Sequence, residues 1–273
     1  MTIPVSVIIT TLNEAKRLPA CLAALKDFGE VIVIDSKSRD QTQSIAQAAG
    51  AGVIEFSWNQ LYPKKRQWTL DNVSLKHEWV FFVDADEIAT PELCNELRAL
   101  FAGGKPACHG YFIKGYFTAS GKPLKYGLIN RKLALFRRDA FKFPVVDDLD
   151  IPGMGEIEGH YQPVPTAAAI KIGALQHGVL HDALDDVRGW NFRHEKYARW
   201  EAGMLLRHAW PTDPVPWRQK LKTMLRQSRF RPELMFVLSY IILGGFLDGV
   251  AGLELARRKR AYYQLIRKLT AAY

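Results

Sequence analysis

Cysteine is scarce: Cys21, Cys94 and Cys108 are the only 3 in 273 residues, at wide and unpatterned spacing. That excludes a disulfide framework and a cysteine-based zinc site, and it leads to the expectation of a reduced, cytosolic compartment. The opening "MTIPVSVIITTLNEAKR" lacks a basic n-region and a small-residue cleavage site, so no signal peptide is expected. No low-complexity tract appears, nor any repeat with a period of roughly 20–50 residues, which excludes solenoids and propellers. The apolar run "LMFVLSYIILGGFL" (234–247) is 14 residues without a charge, short of the about 20 that cross a bilayer.

Net charge is missing from most of the chain. The net +9 resides in residues 217–273, which hold 12 of the 37 Lys and Arg but three of the 28 acids. Residues 1–216 are balanced. A basic C-terminal appendage that meets something anionic is expected. With 48% hydrophobic and 24% charged residues, the rest reads as an ordinary globular protein.

Four short β-branched or aromatic runs, "PVSVIIT" (4–10), "EVIVID" (30–35), "GVIEF" (52–56) and "EWVFFVDAD" (78–86), read as strands. Helical patterns separate them: Leu18, Leu22 and Leu25 on one face, "DQTQSIAQAAG" (40–50), and a segment around Pro63–Leu75. The alternation predicts an α/β fold, a Rossmann-like, mostly parallel sheet with helices on both faces. "TPELCNELRALF" (90–101) predicts a helix capped by Thr90 with Pro91 at its first position. After Gly103-Gly104 the longer runs 109–117 and 133–138 predict an antiparallel or mixed extension, and 143–163 a loop. A helix is expected from Asp182, then a linker marked by Pro211, Pro214 and Pro216.

In open α/β sheets ligands bind beyond the C-terminal strand ends. Thr10–Glu14, Asp35, the Trp58–Arg66 loop and Asp84/Asp86 all fall at such ends. If 78–86 is one strand, Asp84 and Asp86 share a face. Two carboxylates that close must be held by a divalent cation or a polar loop, and Mn²⁺ or Mg²⁺ suits oxygen ligands with substrate phosphates completing the shell.

"SVIITTLNEAKRLPACLAAL", "VIVIDSKSRDQT" and "EWVFFVDADEIATPEL" resemble successive blocks of inverting family 2 glycosyltransferases, which have a GT-A fold. "LALFRR", "LHDALDDVRGW" and "GFLDGVAGLELARRKRAYYQLIRKL" are similar to bacterial lipopolysaccharide-core β-1,4-glucosyltransferases. The resemblance implies a metal-dependent hexosyltransferase using a nucleotide-sugar donor, UDP-glucose by default, and a glycolipid or oligosaccharide acceptor. It implies that Thr11, Asn13 and Glu14 line the nucleoside pocket and that Asp35 meets base or ribose. Lys65 or Arg66 would reach the diphosphate, Asp86 would be the principal metal ligand, and Asp84 would face ribose, sugar or metal. Ser36 stands where most members have a second Asp. The implied division is a catalytic domain over 1–216, with a nucleotide-sugar half (1–105) and an acceptor half (106–182), and a basic amphipathic membrane-associating extension over 217–273.

An inverting transfer needs a carboxylate to take the acceptor hydroxyl proton. Candidates in the loop are Asp147, Asp148, Asp150, Glu156 and Glu158. Glu156 in "GMGEIEGH" is favoured, with Asp148 second, and an extended stretch would point Glu158 the same way as Glu156. His177 and His181 read as structural rather than as a zinc pair, with His181 open to a metal or phosphate contact. Trp190, Tyr197 and Trp200 read as core rather than as a sugar platform. A nucleotidyltransferase is the competing enzyme reading, but "TTLNEAKR" lacks that class's glycine-rich loop. A nucleic-acid module would interleave bases and aromatics over the folded surface, so no nucleic-acid partner is expected. For the tail, an interfacial element on the cytosolic face of an anionic membrane is expected, bent at Gly244-Gly245. The competing reading buries it as a helix.

Overall fold

The computed structural model describes residues 2–159, 161–181 and 187–272. β1 (Ile3–Thr11) is buried at every position except Pro4, as a β-branched run covered on both faces must be. α1 (Leu18–Ala23) leads to β2 (Phe28–Asp35), α2 (Thr42–Ala48) to β3 (Gly52–Glu55), and α3 (Lys65–Asn72) to β4 (Trp79–Asp84). The four strands are parallel in the order β3-β2-β1-β4. α2 and α3 are each two or three residues shorter at each end than expected, and α1 stops at Ala23, short of Leu25.

β5 (Glu87–Ala89), α4 (Pro91–Ala102), β6 (Gly110–Ala119), β7 (Lys122–Pro123) and β8 (Asn130–Arg137) follow. β9 (Phe141–Lys142) and β10 (Val164–Pro165) form a small antiparallel ribbon, and β11 (Ile172–His181) returns to the main sheet. Beyond β4 the order is β8-β6-β11-β5, with β8 antiparallel to β4 and β5 antiparallel to β11. This is the mixed extension expected after Gly104. Thr90 caps α4 by accepting from Leu93 N at 3.1 Å, with Pro91 in the first turn.

One expectation is corrected. The fourth strand stops at Asp84, not Asp86. The Glu87 carboxylate accepts the Asp84 N–H at 3.0 Å, and Glu87 pairs with His181 of β11. The chain therefore turns at Ala85-Asp86, and period-two alternation does not relate Asp84 to Asp86.

The chain forms two compact units. The first gathers the described residues of Met1–Gly115, Arg131–Phe143 and Gln162–His181 around a core that includes Val7, Ile9, Leu18, Phe81, Val83 and Leu93. The second gathers those of Tyr116–Asn130, Pro144–Tyr161 and Asp182–Tyr273. It contains α5 (Val187–Leu206), α6 (Pro216–Gln227), α7 (Arg231–Val237) and α8 (Gly249–Ala271). The expected helix start at Asp182 lies outside the described residues. Trp190 and Trp200 of α5 are buried, Trp200 stacking on Tyr161 with ring centroids 6.2 Å apart. Both are core residues, as expected. Glu201 of α5 accepts from Arg231 Nη2 at 2.5 Å and from the Tyr262 hydroxyl at 2.7 Å. One buried carboxylate thus ties α5 to α7 and α8, so the basic tail is built into this unit through a charge-assisted network.

Candidate active site

Parallel register sets the first unit's site. Thr11 is opposite Asp35, Thr10 is opposite Asp84, and Asp35 is opposite Glu55. Three carboxylates therefore stand at one level along the C-terminal edge of the parallel strands, where α/β sheets bind ligands.

At the β1–β2 end, Asp35 is fully buried and accepts four hydrogen bonds. They come from Thr11 Oγ1 (2.8 Å), Ser38 N (2.7 Å), Ser38 Oγ (2.5 Å) and Gln43 Nε2 (2.8 Å). Burial pushes its carboxyl up, but the bonds from Ser38, Gln43 and Thr11 outweigh it and hold the group below the ordinary carboxylate value. Asn13 sits in the left-handed region (φ 56°), donates its N–H to Ser38 Oγ at 2.7 Å and accepts Arg39 N at 2.8 Å. Glu14 donates its backbone N–H to Thr42 Oγ1 at 2.8 Å, and its side chain is 3.6 Å from Arg17. The loops after β1 and β2 are thereby laced into one surface.

At the β4 end the acids are answered by bases. Arg66 Nη2 donates to Asp84 Oδ1 at 2.8 Å, and Lys132 Nζ donates to Asp84 Oδ2 at 2.9 Å and to Glu87 Oε2 at 2.5 Å. Burial opposes ionisation of Asp84, yet Lys132 and Arg66 hold its carboxyl well below the usual range. Lys65 is buried and reaches back to the Thr11 carbonyl at 3.3 Å. Asp86 faces His181 Nε2 at 3.5 Å, and His181 Nδ1 is 3.8 Å from Glu87 Oε1. Burial, with Asp84 and Glu87 nearby, pushes the Asp86 carboxyl up against the pull of His181.

The donor set fits a divalent cation at Asp86. Asp84 and Glu87 each have a lysine or arginine partner, whereas Asp86 has the imidazole of His181. Asp86 and His181 supply one oxygen and one nitrogen donor. Among the described residues no group of three or more His, Cys, Asp or Glu side chains is placed to hold a metal. Two donors would leave the rest of a shell to other ligands, as in Mg²⁺-type sites that substrate phosphates complete.

The sequence expectations for the loop separate in the second unit. Residues 152–156 form turns, so strand alternation does not relate Glu156 to Glu158. Glu158 is fully buried and Glu156 is half-buried. Asp148 is buried and accepts Trp200 Nε1 at 2.9 Å. Asp150 is exposed and accepts two bonds from Arg207, at 2.6 and 2.7 Å, with Asp147 3.6 Å from the same guanidinium. His177 and His181 diverge: His177 Nδ1 lies 3.0 Å from Glu96, not on the Asp86 cluster.

Sequence reasoning missed Lys132, and gave Glu87 no role beyond acidity. The available signal for Lys132 was its place directly before "LALFRR", on a strand that abuts β4.

The sequence profile of glycosyl transferase family 2 matches residues 6–150, more than half of the chain. The chain belongs to glycosyl transferase family 2. The matched region contains the strand-end cluster apart from His181, and the fold is the α/β, GT-A type expected of family 2 members. An uncharacterized glycosyltransferase of Rickettsia bellii is 35% identical over 103 residues, covering 37% of this chain and 34% of that protein. The glycosyltransferase SunS of Bacillus subtilis is 34% identical over 87 residues, covering 31% and 20%. The chain thus spans about a third or less of these curated relatives. Among solved structures, Staphylococcus aureus TarS 1–349 is 16% identical with a TM-score of 0.46, covering 100% of this chain and 91% of that one. Mycobacterium tuberculosis glucosyl-3-phosphoglycerate synthase, solved with Mn²⁺, UDP and glucosyl-3-phosphoglycerate, is 24% identical with a TM-score of 0.32, covering 42% and 44%.

Proposed function

We propose that this family 2 member is an inverting hexosyltransferase that moves a sugar, glucose from UDP-glucose by first choice, to a saccharide acceptor. The acceptor class is a bacterial cell-surface glycolipid such as the lipopolysaccharide core. The observation that carries the reading is the strand-edge cluster, in which Asp86 and His181 stand beside the Arg66–Asp84–Lys132 group.

A bound Mn²⁺ or Mg²⁺ would neutralise the diphosphate leaving group as a Lewis acid, held by Asp86 with His181. Arg66 and Lys132 add fixed positive charge at the same edge, so a diphosphate would compete with Asp84 for both. Thr11, Asn13, Glu14 and Asp35 form the wall on which the nucleoside would rest, and the four hydrogen bonds on Asp35 keep that wall rigid. As general base we assign Glu156, which would take the proton from the acceptor hydroxyl. Its partial exposure in a glycine-flanked turn supports it over buried Glu158 and over Asp148, whose carboxylate already serves Trp200.

The test is incubation with a panel of nucleotide sugars, Mn²⁺ and lipopolysaccharide-core acceptors, with nucleoside diphosphate and glycosylated product quantified. Release of UDP with an inverted anomeric product is expected. Pyrophosphate release instead would replace the reading with a nucleotidyltransferase.

A further inference from the structure

Soluble helices turn their apolar faces inward, and two segments of the second unit do the opposite. On α6, Trp217, Leu221 and Met224 fall at i, i+4 and i+7, one face of a helix, and all three are exposed. Phe230, Leu234, Val237 and Ile241 repeat the same spacing on the next helical segment, and all four are exposed. Beyond it Ile242 (68%), Phe246, Leu247 (58%) and Val250 (85%) crown the bend before α8. Scattered single apolar residues need no explanation, but two stripes and a crown in consecutive chain mark an interaction surface.

The crown is a built structure rather than a loose end. Asp248 accepts the N–H groups of Lys125 and Tyr126 at 3.2 and 2.9 Å. Ser239 Oγ accepts Leu128 N at 3.1 Å, and the Leu243 carbonyl accepts Gly127 N at 2.9 Å. Inside the bend the Leu243 and Gly244 N–H groups bond back to Leu238 and Ile241. The Leu243, Gly244 and Leu247 N–H groups and the Leu243 and Gly244 carbonyls are therefore satisfied internally, as backbone groups entering an apolar phase must be.

Length decides how it enters. The segment Arg231–Ile242 meets Gly245–Ala271 at 70°, and no single described helix is long and apolar enough to cross a membrane. Twelve residues at about 1.5 Å each reach about 18 Å, against about 30 Å of hydrocarbon. The bend suits partial insertion. Bases flank it along the chain: Lys220 and Arg229 precede the crown, and Arg257, Arg260 and Arg267 follow it, all exposed. Apolar stripes with flanking bases are the composition of interfacial elements on anionic bilayers.

We infer that residues 217–250 form a monotopic docking surface for an anionic phospholipid bilayer, in which the 238–250 bend inserts partway and α6 lies in the interface. The inference does not depend on the proposed reaction, because lipid binding is read without turnover.

The test is co-sedimentation of the full chain with phosphatidylethanolamine–phosphatidylglycerol vesicles and with phosphatidylcholine vesicles, at low and high salt. Binding to the anionic vesicles that weakens with salt is expected. The double variant Ile242→Glu/Phe246→Glu should lower the partition coefficient about tenfold or more, with circular dichroism and Tm unchanged. Val145→Glu, which alters an exposed apolar side chain elsewhere, should leave partitioning intact. Three results would each overturn the inference: no anionic binding at low salt, equal binding to phosphatidylcholine, or an equal loss from Val145→Glu. A lipid-free oligomer that the double variant dissociates would assign the surface to a second copy instead.

Discussion

Lys132 Nζ lies 2.9 Å from Asp84 Oδ2, closing with Arg66 a clamp on the last residue of β4. The same ammonium bonds Glu87, so one cation serves two carboxylates across the turn that ends the strand. Lys132→Met removes it without removing volume. Stability should fall by about 2 kcal/mol, less than the about 3–5 of a fully buried pair, because the Asp84 side chain is 33% exposed. Urea midpoints read this. A rise in donor KM would in addition show that Lys132 meets the diphosphate, and an unchanged KM would leave it structural.

Asp86→Asn should separate chemistry from folding. The Asp86 carboxyl is pushed up by burial and by two acidic neighbours, so neutralising it should leave the Tm unchanged or raise it. Turnover should drop by about 10²–10³-fold, equivalent to losing several kcal/mol of charge stabilisation. A thermal shift on adding Mn²⁺ should appear in the wild type and vanish in the variant. Full activity of Asp86→Asn in chelator would end the metal assignment.

Glu156→Gln should lose about 10²–10⁴-fold in transfer, the usual range for a general base, with donor affinity and Tm retained. Asp148→Asn is the informative partner. It weakens the acceptor for the buried Trp200 indole and should cost about 1–3 kcal/mol of stability. If Asp148→Asn is inactive yet as stable as the wild type, and Glu156→Gln is active, the base is Asp148.

Local signals were legible in the sequence. The Thr90 cap, the buried β1 run and the placement of Asp35 and Asp84 at strand ends follow from hydrogen-bonding chemistry and parallel register. Lys132 was not, because its bond to Asp84 spans 48 residues and depends on which strand sits beside β4. The end of β4 was misread for a similar reason. A side chain, Glu87, takes the Asp84 N–H, and no propensity encodes that. Glu156 and Glu158 were inseparable as a strand and become distinct once the segment is seen to turn.

Ser38 offers a pH test. Asp35 is held below its ordinary value, burial notwithstanding, by Ser38, Gln43 and Thr11. A depressed carboxyl stabilises the fold above the unfolded value of about 3.9, and that stability is lost as pH falls through the folded value. Ser38→Ala deletes the 2.5 Å hydroxyl bond and raises the folded value. Stability at neutral pH should drop by about 1.5–3 kcal/mol, the usual worth of a hydrogen bond to a charged group. The fall of stability with acid should become shallower. Urea midpoints measured from about pH 6 to pH 2 check both, and an unchanged acid slope would remove Asp35 as the group responsible.

The bend in the tail depends on bare backbone. A Cβ on Gly252 would lie 1.9 Å from the Gly245 carbonyl oxygen, and one on Gly245 would lie 2.6 Å from that of Ser239. Neither obstacle is a flexible side chain, so the turn must open to admit a methyl group. Gly252→Ala should therefore destabilise by about 1–3 kcal/mol despite alanine's better helix propensity. Gly103→Ala is the control: nothing lies within 4 Å of its added Cβ, and its φ of −78° suits any L-residue. It should be neutral or slightly stabilising. Thermal unfolding of the two variants side by side decides the matter. Equal Tm values would mean that α8 and the bend can separate without cost, and that the apex is not the rigid element its hydrogen bonds describe.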